Sequence, residues 1–211
     1  MHIEVFELVS FFIIIEYKSK INKIFNMEIK GSAVKATPDF VKDKFNNRYN
    51  EWVKSLPEKS RIIIEKPIYA TTWYSLMDSV IIPTQKVADL FFEGNQVKAA
   101  NEIGRYSADV ALKGVYKIFV RVSSPHFVLS RASSIFATYY QPADIQVIDS
   151  AEKKAVLQLS KFHPNEKLIM NRIAGWIEKT LEITLKSALK VDVENHIEEG
   201  NLTSKITVFW N

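Results

Sequence analysis

Small and apolar residues recur at three- and four-residue spacing between Asn95 and Gly114, a pattern that predicts one long helix. The charged residues Arg105, Asp109 and Lys113 follow one another at i, i+4 spacing, and we expect them on its solvent side. The opposite side should let a neighbouring backbone come close, because its residues are small. These residues are Ala100, Gly104, Ser107, Ala108 and Ala111. The sequence therefore predicts that this helix is the centre of the domain.

Capping residues and prolines mark the starts of other predicted helices. Thr37 before Pro38 predicts one N-terminus, and Ser124 before Pro125 predicts another. Asn165 is the predicted cap of a last helix, in which apolar residues recur every four positions. These residues are Ile169, Ile173, Ile177, Leu181 and Leu185. Such a stripe is typical of a helix that faces a hydrophobic core.

The hydrophobic period changes to the alternation of strands in the last third of the chain. Residues 144–150 and 155–162 predict one hairpin, and residues 189–197 and 202–210 predict a second, C-terminal one. A short strand is also expected within residues 28–36. The predicted fold class is α+β, with roughly five to six helices packed on a twisted antiparallel sheet of about four strands.

The 211 residues are enough for one sizeable core, and no linker divides residues 27–211, so we expect a single domain there. Residues 1–26 differ from the rest of the chain in their sequence pattern. Their uncharged run from Leu8 to Ile15 is far shorter than the roughly 20 residues that span a bilayer, and Glu4 and Glu7 are unlike a signal peptide. This extension is either an extra helix or strand that docks on the domain, or the product of an upstream start with Met27 as the natural beginning, which we favour.

The composition excludes several function classes. The 28 basic and 24 acidic residues form no basic patch, so nucleic acid is not an expected partner. The absence of cysteine excludes disulfides, thiolate nucleophiles and iron–sulfur clusters, and is compatible with the cytoplasmic location that we expect. No G-x-G pair is present, so the dinucleotide and phosphate-binding loops are also missing. We expect no stable membrane insertion.

No catalytic or metal-binding signature stands out among the polar residues. The four histidines, at positions 2, 126, 163 and 196, occur singly and without metal-ligand spacing. No G-x-S-x-G elbow that would expose a nucleophilic serine is present. We therefore predict a protein that is not an enzyme and has no metal site.

Six short motifs carry a family resemblance that spans roughly residues 27–210. In order they are Trp73-Tyr74, Glu102-Ile103-Gly104-Arg105, Gly114-Val115-Tyr116, Ser124-Pro125, Tyr139-Tyr140 and Arg172-Ile173-Ala174-Gly175-Trp176. Together they resemble an uncharacterised bacterial protein family with many paralogues in myxobacteria. That family is distantly similar to the superfamily of haem nitric-oxide/oxygen sensor (H-NOX) domains, four-vinyl-reductase-like domains and small TRAPP trafficking subunits.

The resemblance implies an α+β fold and a role in ligand sensing, binding or scaffolding, since apolar ligand pockets recur in that superfamily. The chain departs from the haem sensors because it lacks their Tyr-x-Ser-x-Arg motif. Arg105-Tyr106-Ser107 has these residues in another order. His126 is the one candidate for a haem ligand, and a surface or helix-cap role is the simpler interpretation of it.

The leading hypothesis is a non-enzymatic domain that binds a small apolar ligand or a protein partner and has no cofactor. One alternative is a haem-based gas sensor that uses His126, and another is a homodimeric TRAPP-like scaffold. Aromatic residues around the central helix would line the ligand site, where small residues leave room. The predicted site residues are Trp73, Tyr74, Gly104, Tyr106, Tyr116, Phe119 and Tyr139.

Overall fold

The structure is a computed structural model that describes residues 27–113, 124–185 and 189–211. The predicted N-terminal extension, residues 1–26, lies outside the described residues. So do two predicted site residues, Tyr116 and Phe119, in the segment 114–123. The predicted division at residue 27 therefore stays a prediction.

Helices make up most of the first two thirds of the described chain. They are α1 (Gly31–Val34), α2 (Ala36–Phe45), α3 (Tyr49–Ser55), α4 (Glu58–Glu65), α5 (Ile82–Phe91), α6 (Gln96–Ala111), α7 (Pro125–Ala137) and α8 (Leu168–Leu185). A π-helix, Met77–Ile81, leads directly into α5. None of the described helices combines the length and apolar character needed to cross a membrane.

The strands form two antiparallel sheets. The first consists of the short strands β1 (Glu28–Lys30), β2 (Trp73–Ser75) and β3 (Tyr140–Gln141) in the order β2-β1-β3. The second has the order β4-β5-β7-β6, with β4 (Asp144–Ala151), β5 (Lys154–Phe162), β6 (Leu189–Glu198) and β7 (Asn201–Trp210). This confirms the predicted α+β class, the four-stranded sheet and its C-terminal hairpin. Strand β1 lies within the short strand expected in residues 28–36, but the small sheet itself was not predicted, because β2 and β3 are too short to show alternation.

Helix α8 covers one face of the four-stranded sheet and contacts β6 and β7. Its predicted stripe is buried: Ile169, Ile173, Ile177 and Leu181 are each at most 1% exposed. On β7, every second residue from Leu202 to Trp210 is likewise buried. Each such large apolar side chain stabilises the fold by about 1.5–3 kcal/mol relative to an exposed position. The period read from the sequence thus gives the main helix–sheet interface.

The predicted central helix is α6, and it borders two hydrophobic cores. Ala100 and Ala108 belong to the core shared with α7, α8 and the sheets. Ala99 and Ile103, on another side of the helix, belong to a second core with α2, α3, α4 and α5. The side chain of Asn95 caps α6 by accepting a 3.0 Å hydrogen bond from the Lys98 N–H. The second core is built from Phe40, Val41, Trp52, Val53, Leu56, Ile64, Val87 and Ala88.

Two glycines bring α6 and α8 into backbone contact. A Cβ at Gly104 of α6 would overlap the carbonyl oxygen of Arg172 on α8, and would lie 3.0 Å from the Trp176 nitrogen. A Cβ at Gly175 of α8 would in turn overlap the carbonyl oxygen of Asn101 on α6. The contact is therefore reciprocal, and each helix needs a glycine where the other's backbone passes.

The charges of α6 pair with α8 and not along α6 itself, which corrects the expected i, i+4 arrangement. Arg105 lies 2.7 Å from a Glu182 oxygen and 3.3 Å from a Glu178 oxygen, and Asp109 lies 3.5 Å from Lys179. Burial acts to lower the pKa of Arg105, but the two carboxylates outweigh it and raise the pKa. The prediction failed because sequence spacing does not reveal which helix lies alongside.

Two predicted helix caps are also wrong. The Thr37 hydroxyl lies inside the protein and accepts a hydrogen bond from Arg172, while α2 begins at Ala36. Asn165 donates its backbone N–H to His163 Nδ1, because His163 and Glu166 form a capping box on the 3₁₀ turn before α8. The Thr37 side chain binds a residue of another helix, and His163, not Asn165, caps the 3₁₀ turn that leads to α8.

We predict that Gly175→Ala destabilises the protein by about 2 kcal/mol or more. The gain in helix propensity, roughly 1 kcal/mol, is outweighed because the added methyl meets the Asn101 backbone, and only a displacement of the helix can relieve the overlap. Urea unfolding measures the difference. Ser134→Ala, at an exposed position of α7, is the matched control and should change the free energy of unfolding by less than about 0.5 kcal/mol. Equal stability of both variants would contradict the tight crossing.

Candidate functional site

A cleft of about 340 Å³ opens beside α6, between α1, α2, the end of α7 and α8. This volume lies within the range of about 300–1,000 Å³ that is usual for small-molecule sites. Much of its wall is apolar, and polar groups enter at a few points, as in most ligand pockets. The apolar wall includes Ala33, Ala36, Val110, Ile135, Phe136 and Trp176.

The small side of α6 explains why this space exists. Gly104 brings α6 close to α8, and one and two turns later Ser107 and Ala111 line the cleft with short side chains. A bulky residue at either position would project into the space. The predicted strip of small residues thus has two effects. Gly104 allows the close contact of α6 with α8, and Ser107 and Ala111 leave the cleft beside it open.

Aromatic rings hold the far wall in place. Phe136 of α7 and Trp176 of α8 meet edge to face, with their ring centroids 5.1 Å apart. Tyr106 of α6 packs edge to face on Phe40 at 5.5 Å. Such pairs contribute roughly 0.5–1.5 kcal/mol beyond their buried area. The rings that line the cleft are therefore fixed by neighbours on other elements.

Arg172 of α8 is the charged group inside the cleft, and it is only 4% exposed. It donates hydrogen bonds to the Thr37 hydroxyl at 3.1 Å and to the Ala33 carbonyl oxygen at 2.6 Å. Among the described residues, no carboxylate lies within ion-pairing distance of it. Burial lowers the pKa of Arg172, and Tyr140 acts in the opposite direction. A buried guanidinium is thus held by neutral acceptors alone.

Tyr140 of β3 lines the same cleft and is 5% exposed. Burial raises the pKa of Tyr140 to about 12, although the charge of Arg172 opposes this. The phenol is therefore neutral at physiological pH, and its hydroxyl can donate a hydrogen bond near the guanidinium.

The remaining charged residues of the cleft lie at its exposed rim. Lys35 and Asp39, on the segment that enters α2, both line the cleft and are both exposed. Their opposite charges leave the rim close to neutral. Burial raises the pKa of Tyr106, and the nearby Asp43 and Asp39 raise it further. The net positive charge of the described cleft is therefore that of Arg172.

Three of the predicted site residues, Gly104, Tyr106 and Tyr139, line this cleft. Trp73 and Tyr74 are in β2 and are not among its lining residues. The hydroxyl of Tyr74 accepts a 3.0 Å hydrogen bond from the backbone N–H of residue 69, and the ammonium of Lys30 lies 5.3 Å from the ring of Trp73. These two aromatic residues stabilise the small sheet and the loop before it.

His126, near the start of α7, lies away from the cleft. Its Nδ1 is hydrogen-bonded to the hydroxyl of Ser150 at 2.8 Å, and its ring packs edge to face on Trp210 at 5.0 Å. It is half-buried at the junction of α7, β4 and β7. Within residues 27–113, 124–185 and 189–211, no group of three or more potential metal ligands was found.

The predicted site residues include neither Arg172 nor Tyr140, although Tyr140 belongs to the aromatic residues expected around the central helix. Arg172 follows Ile169 by three positions and precedes Ile173, so it lies on the buried side of the predicted helix. A charged residue at such a position is the signal that could have revealed it. Tyr140 carried no comparable signal, because its burial depends on the small sheet that was not predicted.

We predict that the protein loses stability between about pH 10 and pH 12 as Tyr140 ionises. Its folded-state pKa is raised, so its stabilising contribution is complete below the unfolded value near 10 and is lost as the pH rises through about 12. The loss amounts to about 2–3 kcal/mol. Urea unfolding across this range should show a flatter profile for Tyr140→Phe than for wild type. Tyr69→Phe, at a side chain that is 65% exposed, should keep the wild-type profile, and a steep profile in Tyr140→Phe would refute the assignment.

Comparison with known proteins gives a fold but no family. No protein-family model matches the sequence, and no curated protein matches it either. Among solved structures, an Fe(II) unliganded H-NOX mutant from K. algicida aligns with a TM-score of 0.66 at 14% identity, over 87% of this chain and 97% of that one. An H-NOX mutant from T. Tengcongensis aligns with a TM-score of 0.65 at 15% identity, over 87% and 98%.

An oxygen-binding H-NOX domain related to soluble guanylate cyclases, in its oxygen complex, also aligns, with a TM-score of 0.64 at 15% identity over 87% of this chain and 95% of that one. At such low identity these alignments concern the fold alone. The predicted resemblance to the H-NOX superfamily is therefore confirmed as a similarity of fold, and the resemblance to the myxobacterial family stays a prediction. The described chain has an H-NOX-like α+β fold.

Proposed function

We propose that this chain is a sensory domain that binds a small ligand in the cleft beside α6. The observation that carries the proposal is the cleft itself, about 340 Å³ with largely apolar walls and a buried guanidinium at its inner end. A sensory role is suggested by the fold, since the structural neighbours include a protein described as an oxygen-binding H-NOX domain. The lining of the described cleft offers no nucleophile paired with a base, and the absence of enzymatic activity stays a prediction.

Haem is the ligand that the neighbours suggest, and it defines the second candidate function, a haem-based gas sensor. One of the structural neighbours was solved to probe haem distortion, and another to modulate haem redox potential. Haem iron in proteins is held by histidine, cysteine, methionine or tyrosine. The described lining of this cleft contains no histidine or methionine, and the chain has no cysteine.

Tyr140, the buried tyrosine of the cleft, also fits haem poorly. A tyrosine ligand binds iron as the phenolate, and the pKa of about 12 at Tyr140 opposes that form. His126 would have to leave Ser150 and Trp210 before it reached the cleft. We therefore rank haem below another small ligand for this site and derive no step through it. The homodimeric scaffold stays a prediction, for which one chain gives no test.

We predict that native mass spectrometry of the purified protein detects a small molecule that is lost on denaturation. Ile135→Trp, at the mouth of the cleft, should abolish this extra mass, because the indole fills the opening; Ile135 is 45% exposed, so the fold should tolerate it. Ile62→Trp is the matched control, since Ile62 is 43% exposed on α4 and is not among the residues that line the cleft. It should retain the bound mass. Equal occupancy in both variants would contradict the cleft as the binding site.

We predict that haem reconstitution yields no stable Soret band. If a band forms and His126→Ala removes it, the gas-sensor alternative becomes the better account of the chain. If a band forms and survives in His126→Ala, the haem does not use this histidine. Absorption spectra of wild type and this variant, after removal of free haem, distinguish the results.

A further inference from the structure

The buried guanidinium of Arg172 specifies the kind of ligand that the cleft can hold. We propose that the ligand is a small monoanionic carboxylate with an apolar body, bound with its carboxylate on Arg172 and its body against the wall formed by Phe136 and Trp176. This inference rests on the proposed function, which it makes specific. It concerns only residues of this chain and does not depend on bound haem.

The first step is the hydrogen bonding of Arg172. Its two acceptors, the Thr37 hydroxyl and the Ala33 carbonyl oxygen, are both neutral. A guanidinium has more N–H donors than these two acceptors use, and the side chain lines the cleft. Its remaining donors are the groups to which a ligand in the cleft can bind.

The second step is the cost of burying this charge. Taking a cation out of water costs several kcal/mol unless an anion accompanies it. Arg172 is 4% exposed, and the described residues supply no carboxylate to it. Natural proteins almost never bury arginine fully without a partner. A ligand that brings the missing negative charge therefore gains the full benefit of pairing in a site of low dielectric.

The third step is the size of the charge. Arg172 supplies one positive charge, and the exposed Lys35 and Asp39 at the rim offset each other. A carboxylate carries one negative charge and matches the planar fork of arginine. A phosphate monoester brings about −1.5 to −2 charge at neutral pH, which the described cleft does not balance. The charge count therefore favours the carboxylate.

The fourth step is the environment of the rest of the ligand. Ala33, Ala36, Ile173 and the Phe136–Trp176 pair give apolar surface on several sides. Tyr140 lines the same cleft as Arg172, and its neutral hydroxyl adds a hydrogen-bond donor to the polar part of the lining. A polar inner end and an apolar wall together fit an amphipathic molecule better than a free inorganic anion.

A purely structural role for Arg172 is the competing explanation. Its hydrogen bonds join α8 to α1 and α2, and that function needs donors but no charge. The two explanations differ in what happens when the charge is removed. Replacing a structural arginine should lower stability strongly. Replacing an arginine kept for a ligand should change the stability of the ligand-free protein little, because the relief of the buried charge offsets the lost hydrogen bonds.

Octanoate and octanol are suitable probes, because they share an apolar chain and differ in the charge of the head group. Binding is followed by the change in fluorescence of Trp176, which lines the cleft. Trp73→Phe removes a tryptophan that does not line the cleft and should keep this change, whereas Trp176→Phe should lose it. We expect octanoate to bind wild type at least about 10-fold more tightly than octanol. Arg172→Met should weaken octanoate binding roughly 30-fold or more and leave octanol binding unchanged.

Thermal unfolding of the ligand-free variants provides the second readout. Arg172→Met should lose little stability, because removal of a buried charge with no carboxylate partner among the described residues offsets the loss of its hydrogen bonds to Thr37 and Ala33. Arg172→Lys keeps the charge but not the fork, and should bind octanoate with an intermediate affinity. A strongly destabilised Arg172→Met would favour the structural explanation, and in that case Arg172→Lys decides. A stable Arg172→Lys that still binds octanoate more tightly than octanol retains the requirement for charge, and one that binds both probes equally overturns the inference.

Failure of the inference and failure of the proposed function give different results. If octanol binds as tightly as octanoate, or if a purified ligand is neutral, the cleft binds a ligand but the head-group assignment is wrong. If neither probe changes Trp176 fluorescence and native mass spectrometry finds no bound mass, both the inference and the proposed function are overturned. Equal octanoate affinity in wild type and Arg172→Met overturns the inference alone.

Discussion

The close crossing of α6 and α8 is the contact on which the rest of the structure depends. Gly104 and Gly175 each receive the other helix's backbone, so the two axes lie nearer than any larger pair of residues would permit. The separation of these helices fixes the position of Arg172, whose carbonyl oxygen lies against Gly104 while its side chain reaches α1 and α2. One residue thus takes part in both the packing and the cleft.

The cleft joins two features: an apolar wall and a buried cation to which the described residues bring no carboxylate. Protein interiors normally pair or hydrate such a charge, because leaving it alone costs stability. The Arg105–Glu178–Glu182 group, at the exposed side of the same helix pair, shows the usual arrangement. The contrast between these two arginines, one paired near the surface and one buried with only neutral acceptors among the described residues, is the observation on which the proposed ligand site rests.

Sequence patterns predicted the larger helices and strands, and they failed for contacts that depend on which segments meet in the folded chain. Periodicity identified α6, the buried stripe of α8 and the β4–β5 and β6–β7 hairpins, because each is long enough to repeat its pattern. It missed the small sheet, the role of Thr37 and the ion pairs between α6 and α8, since these depend on which segments meet in space. For the site, small residues pointed to Gly104 and its surroundings, whereas Arg172 and Tyr140 required three-dimensional information. Trp73 and Tyr74 were predicted as site residues, but they belong to the small sheet and are not among the residues that line the cleft.

Helix α6 has one further consequence, which concerns the cooperativity of the fold. Ala99 and Ala100 are consecutive residues, yet each is buried in a different core. A helix shared in this way cannot unfold on one side only, because its backbone hydrogen bonds serve both interfaces at once. Loss of order in either core would therefore expose the other, and we expect the two cores to unfold in a single transition.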